Sequence, residues 1–265
     1  MIDLHSHILP RMDDGSRSTE ESLQMLTALA AQGVTDVAAT PHFYASENGP
    51  DRFLARRARS WQQLRPHLTA SLPRVHLGAE VLFFEGIAAF DGLPRLCLSG
   101  TDVLLLEMPF RPWNRRMLDE LLELAGRPDV TVLLAHMERY LPYVAEPDWR
   151  RMARSGLYIQ SNADFFCGFS TRRKALRLLS EGRIHVLGTD CHNMERRAPR
   201  MDKAVRVIAR ALGDDTVRRL EEQARRLLES RRCAHGSSDQ RWRCSSSSVL
   251  PDHPSRSVRD ACGCR

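Results

Sequence analysis

Ile2-Asp3-Leu4-His5-Ser6-His7-Ile8-Leu9-Pro10 is the stretch on which the fold is read. It opens as a short apolar strand and ends in two imidazoles separated by one serine. Side chains alternate along an extended chain, so His5 and His7 face the same way and their nitrogens can reach one metal ion. Such a pair arises by chance in many proteins, and the rest of the chain gives it weight. Short runs rich in Val, Ile and Leu keep ending in carboxylates or histidines: Asp14, His42, Glu80, Glu107, His136, Asp190 and His192.

Seven segments read as buried strands: Ile2–His5, Val34–Thr40, Val75–Glu80, Val103–Glu107, Val130–Ala135, Leu157–Gln160 and Ile184–Gly188. Helical patterns fill most gaps. Ser18 and Glu21 form a capping box before a helix with Leu23, Leu26 and Ala30 on one face and Gly33 as its stop. Thr171–Glu181 repeats the scheme with Ala175, Leu178 and Leu179 inward and Gly182 as the stop, and helices continue through Met201–Leu212 and Thr216–Leu228. Strands apolar on both faces and alternating with helices predict an α/β fold with a parallel sheet, and seven repeats predict a closed barrel. Chemistry in such barrels sits at the C-terminal ends of the strands. The candidate ligands fall there: His5 and His7 after the first strand, His42 after the second, Glu80 at the third, Glu107 at the fourth, His136 after the fifth, Asp190 and His192 after the seventh.

The 265 residues suffice for one full core, and the chain divides into a domain at 1–230 and a tail at 231–265. The tail is rich in Ser and Arg with few large apolar residues, and is expected to be disordered and basic. It accounts for most of the net charge of +6, since residues 1–230 hold 32 basic and 30 acidic residues. A nearly neutral body argues against nucleic-acid binding. Arg56, Arg57 and Arg59 are read as a solvated helix face. No apolar run approaches a membrane span and no signal peptide opens the chain, so a cytoplasmic protein without membrane insertion is expected. The seven cysteines show no disulfide framework.

Nine donors exceed what one ion can use, so a polynuclear centre of Zn, Mn or Fe is implied. Arg139 and Arg197 follow His136 and His192 closely, and a guanidinium fork pairs well with phosphate oxygens. Cys167 with Arg173, and Cys191 with Arg197, match the Cys-x5-Arg spacing of thiolate phosphatases. In a chain this rich in arginine the spacing is a chance expectation, and Cys262-Gly-Cys264 with His253 is equally unspecific.

Ile2-Asp-Leu-His-Ser-His-Ile-Leu-Pro10 with Asp13-Asp14-Gly15, Ala39-Thr40-Pro41-His42, Gly78-Ala79-Glu80, Leu106-Glu107-Met108-Pro109-Phe110, Ala135-His136-Met137-Glu138-Arg139-Tyr140 and Gly188-Thr189-Asp190-Cys191-His192-Asn193 resemble, in order, the polymerase-and-histidinol-phosphatase (PHP) superfamily. Within it they are most similar to bacterial capsular-polysaccharide tyrosine phosphatases of the CpsB/YwqE type. The resemblance covers about residues 1–212. It implies a distorted (β/α)7 TIM-like barrel holding three divalent ions, with manganese expected and iron or zinc as alternatives. By similarity His5, His7, Glu80 and Asp190 would share one ion, Glu80, Glu107 and His136 a second, and Asp14, His42 and His192 a third. Arg139, Arg197 and His192 would serve catalysis. The substrate would be a phosphotyrosine protein, by resemblance a bacterial tyrosine kinase governing exopolysaccharide export, and a homo-oligomer is allowed. Met137 replaces a usual proline and Cys191 a usual small residue, while no proposed ligand is altered. The alternatives are a small-molecule phosphatase of the histidinol-phosphatase type and, less favoured, a PHP exonuclease.

Overall fold

The computed structural model describes residues 1–230. The expected disordered tail at 231–265, with His253, Cys262 and Cys264, lies outside the described residues. Nine strands are present among the described residues: β1 (Ile2–Ser6), β2 (Asp36–Ala39), β3 (His42–Phe43), β4 (Arg74–Leu77), β5 (Glu80–Leu82), β6 (Val103–Glu107), β7 (Thr131–Leu134), β8 (Tyr158–Asn162) and β9 (Val186–Gly188). The helices are α1 (Thr19–Ala31), α2 (Pro50–Leu64), α3 (Arg115–Ala125), α4 (Glu146–Ala153), α5 (Ala163–Cys167), α6 (Arg172–Ser180), α7 (Met201–Leu212) and α8 (Asp214–Glu229). The fold is mixed α/β, and its named strands pair in parallel. One sheet runs β1-β2-β4 and the other β3-β5-β6-β7-β8-β9.

Two of the seven expected strands are interrupted. The second breaks at Thr40-Pro41, where proline offers no N–H to the ladder, and resumes as β3; the third breaks at Gly78-Ala79 and resumes as β5. The breaks lie side by side, joined by Gly78 N–H to Ala39 O at 2.8 Å and Glu80 N–H to Pro41 O at 3.0 Å. His42 therefore opens a short strand of its own and is the register partner of Glu80. A bridge between Ser6 and Cys191 brings β1 beside the segment leaving β9. His7 N–H donates to Cys191 O at 2.9 Å and Asp190 N–H to His5 O at 2.8 Å, so the first and seventh candidate ligand segments are neighbours.

Strand residues alternate between two cores. Leu104 and Leu106 of β6 and Val132 and Leu134 of β7 pack in the larger one, with helix residues such as Met25, Leu121 and Leu178. Val103, Leu105 and Leu133 pack in a smaller one with Ile2, Leu4, Val186 and, from α8, Ala224 and Leu227. Burial on both sides is why these strands read as unbroken apolar runs, each Leu contributing roughly 1.5–3 kcal/mol.

Ser18 caps α1, its hydroxyl accepting from Glu21 N–H at 3.2 Å. The Glu21 carboxylate accepts from Arg17 N–H at 2.7 Å rather than returning to Ser18, so only half the capping box forms. The buried face of α1 is Ser22, Met25, Leu26 and Leu29, with Leu23 and Ala30 at its margins instead of its centre. In α6 the inward residues are Ala175, Leu178 and Leu179, as expected. Arg56 and Arg57 do not form a solvated face: they donate to Met12 O at 2.8 Å and Gly78 O at 2.6 Å, tying α2 to two loops that border the site. Among the described residues no helix is long and apolar enough to cross a membrane.

Candidate metal centre

All nine carboxylates and histidines singled out in the sequence converge on one site, His42 and Glu80 from the first residues of β3 and β5 and the others from in or after β1, β6, β7 and β9. His5 Nε2 and His7 Nε2 stand 3.2 Å apart. Each lies 3.2–3.3 Å from Glu80 Oε2 and 3.5 Å from Asp190 Oδ1. The separations among His5, His7 and Asp190 suit donors ~2 Å from one shared ion, the bond length from nitrogen or oxygen to a transition-metal dication. His136 Nε2 is 2.9 Å from Glu80 Oε1 and 3.3 Å from Glu107 Oε1. Asp14 Oδ1 is 3.3 Å from His192 Nε2 and 3.6 Å from His42 Nε2, while His42 Nδ1 faces Glu80 Oε2 at 3.1 Å. Glu80 is thus the hub, its two oxygens facing different histidines. Four groups could hold an ion: His5, His7 and Asp190; His5, Glu80 and His136; His42, Glu80 and Glu107; and His7, Asp14, His42 and His192.

Proton positions sharpen this geometry. His7 Nδ1 donates to the Asp13 carboxylate at 2.7 Å, His5 Nδ1 to Gln160 Oε1 at 3.3 Å, and His192 Nδ1 to the Asp190 carbonyl at 2.9 Å. An oxygen acceptor on Nδ1 fixes the proton there and leaves Nε2 as a lone pair. In their neutral forms His5 and His7 turn both Nε2 lone pairs toward one point; without an ion, burial disfavours the His7 imidazolium, yet Asp13 and Glu80 outweigh it and hold His7 well above the usual imidazole range. His42 Nδ1, Glu80 Oε2, His136 Nδ1 and His192 Nε2 are buried without a hydrogen-bond partner. Buried polar atoms are nearly always paired, and a shared cation resolves several of these at once. The donor set therefore fits divalent metal.

Electrostatics agree. Burial opposes charge on Glu80, yet His5, His136 and His7 hold its carboxyl well below the usual range. Burial disfavours the His136 imidazolium, but Glu107 and Glu80 raise it to about 9. For His192, burial and the nearby charge of His7 bring it down to about 4. Arg139 donates to Asp190 Oδ2 at 2.7 Å and Arg197 to Asp190 Oδ1 at 2.7 Å, and both guanidiniums remain about one-third exposed. A cleft of about 410 Å3 beside them is bordered by Asn162, Asp164 and Phe165.

Several residues that hold the site were not read from the sequence. Gln160 and Asn162 are not typical ligands, and Asp3 and Asp13 are of a ligand type that no spacing set apart from their neighbours. Gln160 Oε1 accepts from His136 N–H at 2.6 Å as well as from His5, and Asn162 donates to Asp190 at 2.9 Å. Asp3 accepts from Thr189 Oγ at 2.6 Å and from Thr189 N–H at 2.8 Å, positioning the strand end before Asp190. His136 (φ 28°) and Asp190 (φ 53°) occupy left-handed backbone, costing ~1–3 kcal/mol each. A side chain on Gly188 would place its Cβ 2.7 Å from His5 Cβ, so glycine is required where β9 passes the first histidine. Cys167 and Cys191 are buried, and burial pushes both thiols up, against a thiolate nucleophile.

The model of the family "Capsular polysaccharide synthesis, CpsB/CapC" matches residues 1–229. The chain belongs to the CpsB/CapC family. It is 29% identical to tyrosine-protein phosphatase YwqE of Bacillus subtilis, over 87% of this chain and 92% of that one. It is 28% identical to tyrosine-protein phosphatase CpsB of Streptococcus pneumoniae, over 80% and 91%. A solved structure from work on these two proteins, described as unique metal-dependent tyrosine phosphatases, superposes with a TM-score of 0.73 at 25% identity, covering 87% of this chain and 95% of that one.

Proposed function

We propose that this CpsB/CapC family member is a metal-dependent phosphatase of phosphotyrosine proteins, acting in capsular or exopolysaccharide synthesis. The observation that carries the reading is the set of inward-facing His and carboxylate atoms around Glu80, buried and unpaired, with two partly exposed arginines at its edge. The relatives' shared activity and the family's role point the same way.

In this reading His5, His7, Glu80 and Asp190 hold one ion, Glu80, Glu107 and His136 a second, and Asp14, His42 and His192 a third, with manganese expected. The short distances of His5 and His7 to Glu80 and Asp190, of His136 to Glu80 and Glu107, and of Asp14 to His42 and His192 support the grouping. When bound, the ions supply Lewis acidity toward phosphoryl oxygens and ionise water near neutral pH. Arg139 and Arg197 pair with non-bridging phosphate oxygens and are held toward the site by Asp190. His192 acts as a ligand and not as a proton donor, since its Nδ1 proton is committed to the Asp190 carbonyl. With no side chain poised as general acid among the described residues, a phenolate of pKa ~10 suits the site better than an alkoxide. The two sheets joined at Ser6–Cys191 are read as a distorted (β/α)7 barrel of PHP type. A bacterial tyrosine kinase as the phosphoprotein, and the cytoplasm as the place of action, extend the proposal from the family's role.

Hydrolysis of an aryl phosphate after chelator stripping and manganese readdition, in parallel with thiol alkylation, tests the reading. Loss with chelator, recovery with manganese and indifference to alkylation are expected. The reverse pattern would return the chemistry to a cysteine.

A further inference from the structure

Two aromatics at the edge of the centre reach the surface: Tyr44, half-buried and stacked on His42 at 5.3 Å, and the more exposed Phe110. Phe110 keeps 46% of its surface exposed, whereas its neighbours His136 and Tyr140 are 1% and 0% exposed. It lies three residues beyond Glu107, on the loop leaving β6. Its ring is 5.6 Å from the His136 ring and stacks on Tyr140 at 5.9 Å with 20° between planes. The Arg139 guanidinium carbon sits 5.4 Å from the Phe110 centroid while that arginine holds Asp190. Phe110 therefore borders both a candidate ligand of the ions and a candidate phosphate-binding cation.

The platform is also rigid. Tyr140 accepts from Met108 N–H at 2.9 Å, and Trp113 Nε1–H donates to Pro109 O at 3.1 Å, so both residues before Phe110 are tied down. Trp113 further packs on Tyr140 at 5.1 Å between centroids. A half-exposed aromatic held by such a scaffold costs apolar exposure without serving the core, since its buried neighbours already close that side. A preorganised ring of this kind binds another ring at small entropic cost.

We propose that Phe110 is a specificity-determining residue that contacts the aryl group of the substrate and selects aryl over alkyl phosphomonoesters. The proposal rests on the phosphatase reading above. With phosphate between the histidine cluster and Arg139, a tyrosyl ring leaving the phosphate passes over Phe110, while the shorter serine side chain presents no ring to it.

The test compares wild type with Phe110→Ala, Phe110→Leu and Phe110→Tyr, all loaded with manganese. Calorimetric binding of phenylphosphonate and methylphosphonate is read alongside kcat/KM on matched phosphotyrosyl and phosphoseryl peptides. Phe110→Ala is expected to weaken phenylphosphonate roughly five- to tenfold and leave methylphosphonate within about twofold. The peptide loss is expected mainly in KM, with Phe110→Tyr near wild type and Phe110→Leu between. Equal losses for both phosphonates would overturn the proposal, showing that Phe110 merely holds Arg139. Unchanged phenyl-to-methyl preference in Phe110→Ala, or no such preference in wild type, would overturn it too. Failure of the phosphatase reading would look different: a phenyl preference lost in Phe110→Ala, but no phosphate released from either peptide by wild type.

Discussion

Asp13 is the residue through which the account is most sharply exposed to mutation. Its Oδ2 accepts from His7 Nδ1–H at 2.7 Å and from His42 N–H at 2.9 Å, and its Oδ1 accepts from Gly15 N–H at 2.9 Å. Burial alone would raise its carboxyl, but His7 and the two backbone donors hold it well below the usual range. Asp13→Asn keeps the shape and offers only one acceptor oxygen. An amide NH2 must then face either Gly15 N–H or the His7 and His42 donors. Losing a hydrogen bond to a charged acceptor costs ~1.5–3 kcal/mol, about ten- to a hundredfold in affinity, which matches what removing an outer partner of a metal-bound histidine costs. Manganese affinity of Asp13→Asn, by competition with a chromophoric chelator, should fall by that factor. In a His7→Ala background the same change should cost much less, because its effect runs through His7. Wild-type manganese affinity in Asp13→Asn would refute the reasoning, and so would an undiminished loss in the His7→Ala background.

His136→Ala should lower aryl phosphate turnover by more than ~100-fold, since it removes a donor at the hub and not an outer partner. Cys191→Ser should stay within about tenfold, as that thiol is buried and pushed up in pKa; steady-state kinetics on both variants decide. In protein stripped of ions, the imidazolium of His136 is favoured by the fold, with its pKa raised from 6.5 to about 9. That contribution to stability is complete below ~6.5 and is lost as pH rises through ~9, so the melting temperature of stripped protein should fall across this window. Manganese affinity should rise across the same window, because the ion displaces the proton; melts with and without manganese check both signs. A chain ending at Ser230 should fold and hydrolyse aryl phosphate like the full protein, as circular dichroism melts and kinetics would show.

The strands were legible because burial on both faces leaves an unambiguous apolar signature, and Val103–Glu107 coincides with β6 residue for residue. The split of the second and third strands was not, because Thr40-Pro41 and Gly78-Ala79 are short interruptions whose effect depends on lying side by side. The nine donors were legible since most lie at or just after the end of an apolar run. Their sharing around Glu80 came only through the family resemblance, for it arises from the His42–Glu80 register and the Ser6–Cys191 bridge, contacts between distant segments. Asp13 and Gln160 escaped for a chemical reason: an outer partner needs only an oxygen in the right place, and many residue types supply one. Phe110 stood in the Leu106–Phe110 motif without a role of its own, and its exposure is what distinguishes it.

The most direct measurement is the titration of manganese into stripped protein with a phosphotyrosyl peptide present, following phosphate release against bound ions counted by elemental analysis. The account predicts no turnover without ions, full turnover as occupancy approaches three per chain, and neither binding nor turnover restored in His5→Ala/His7→Ala. Turnover by the stripped protein, or an unchanged titration in that double variant, would contradict it.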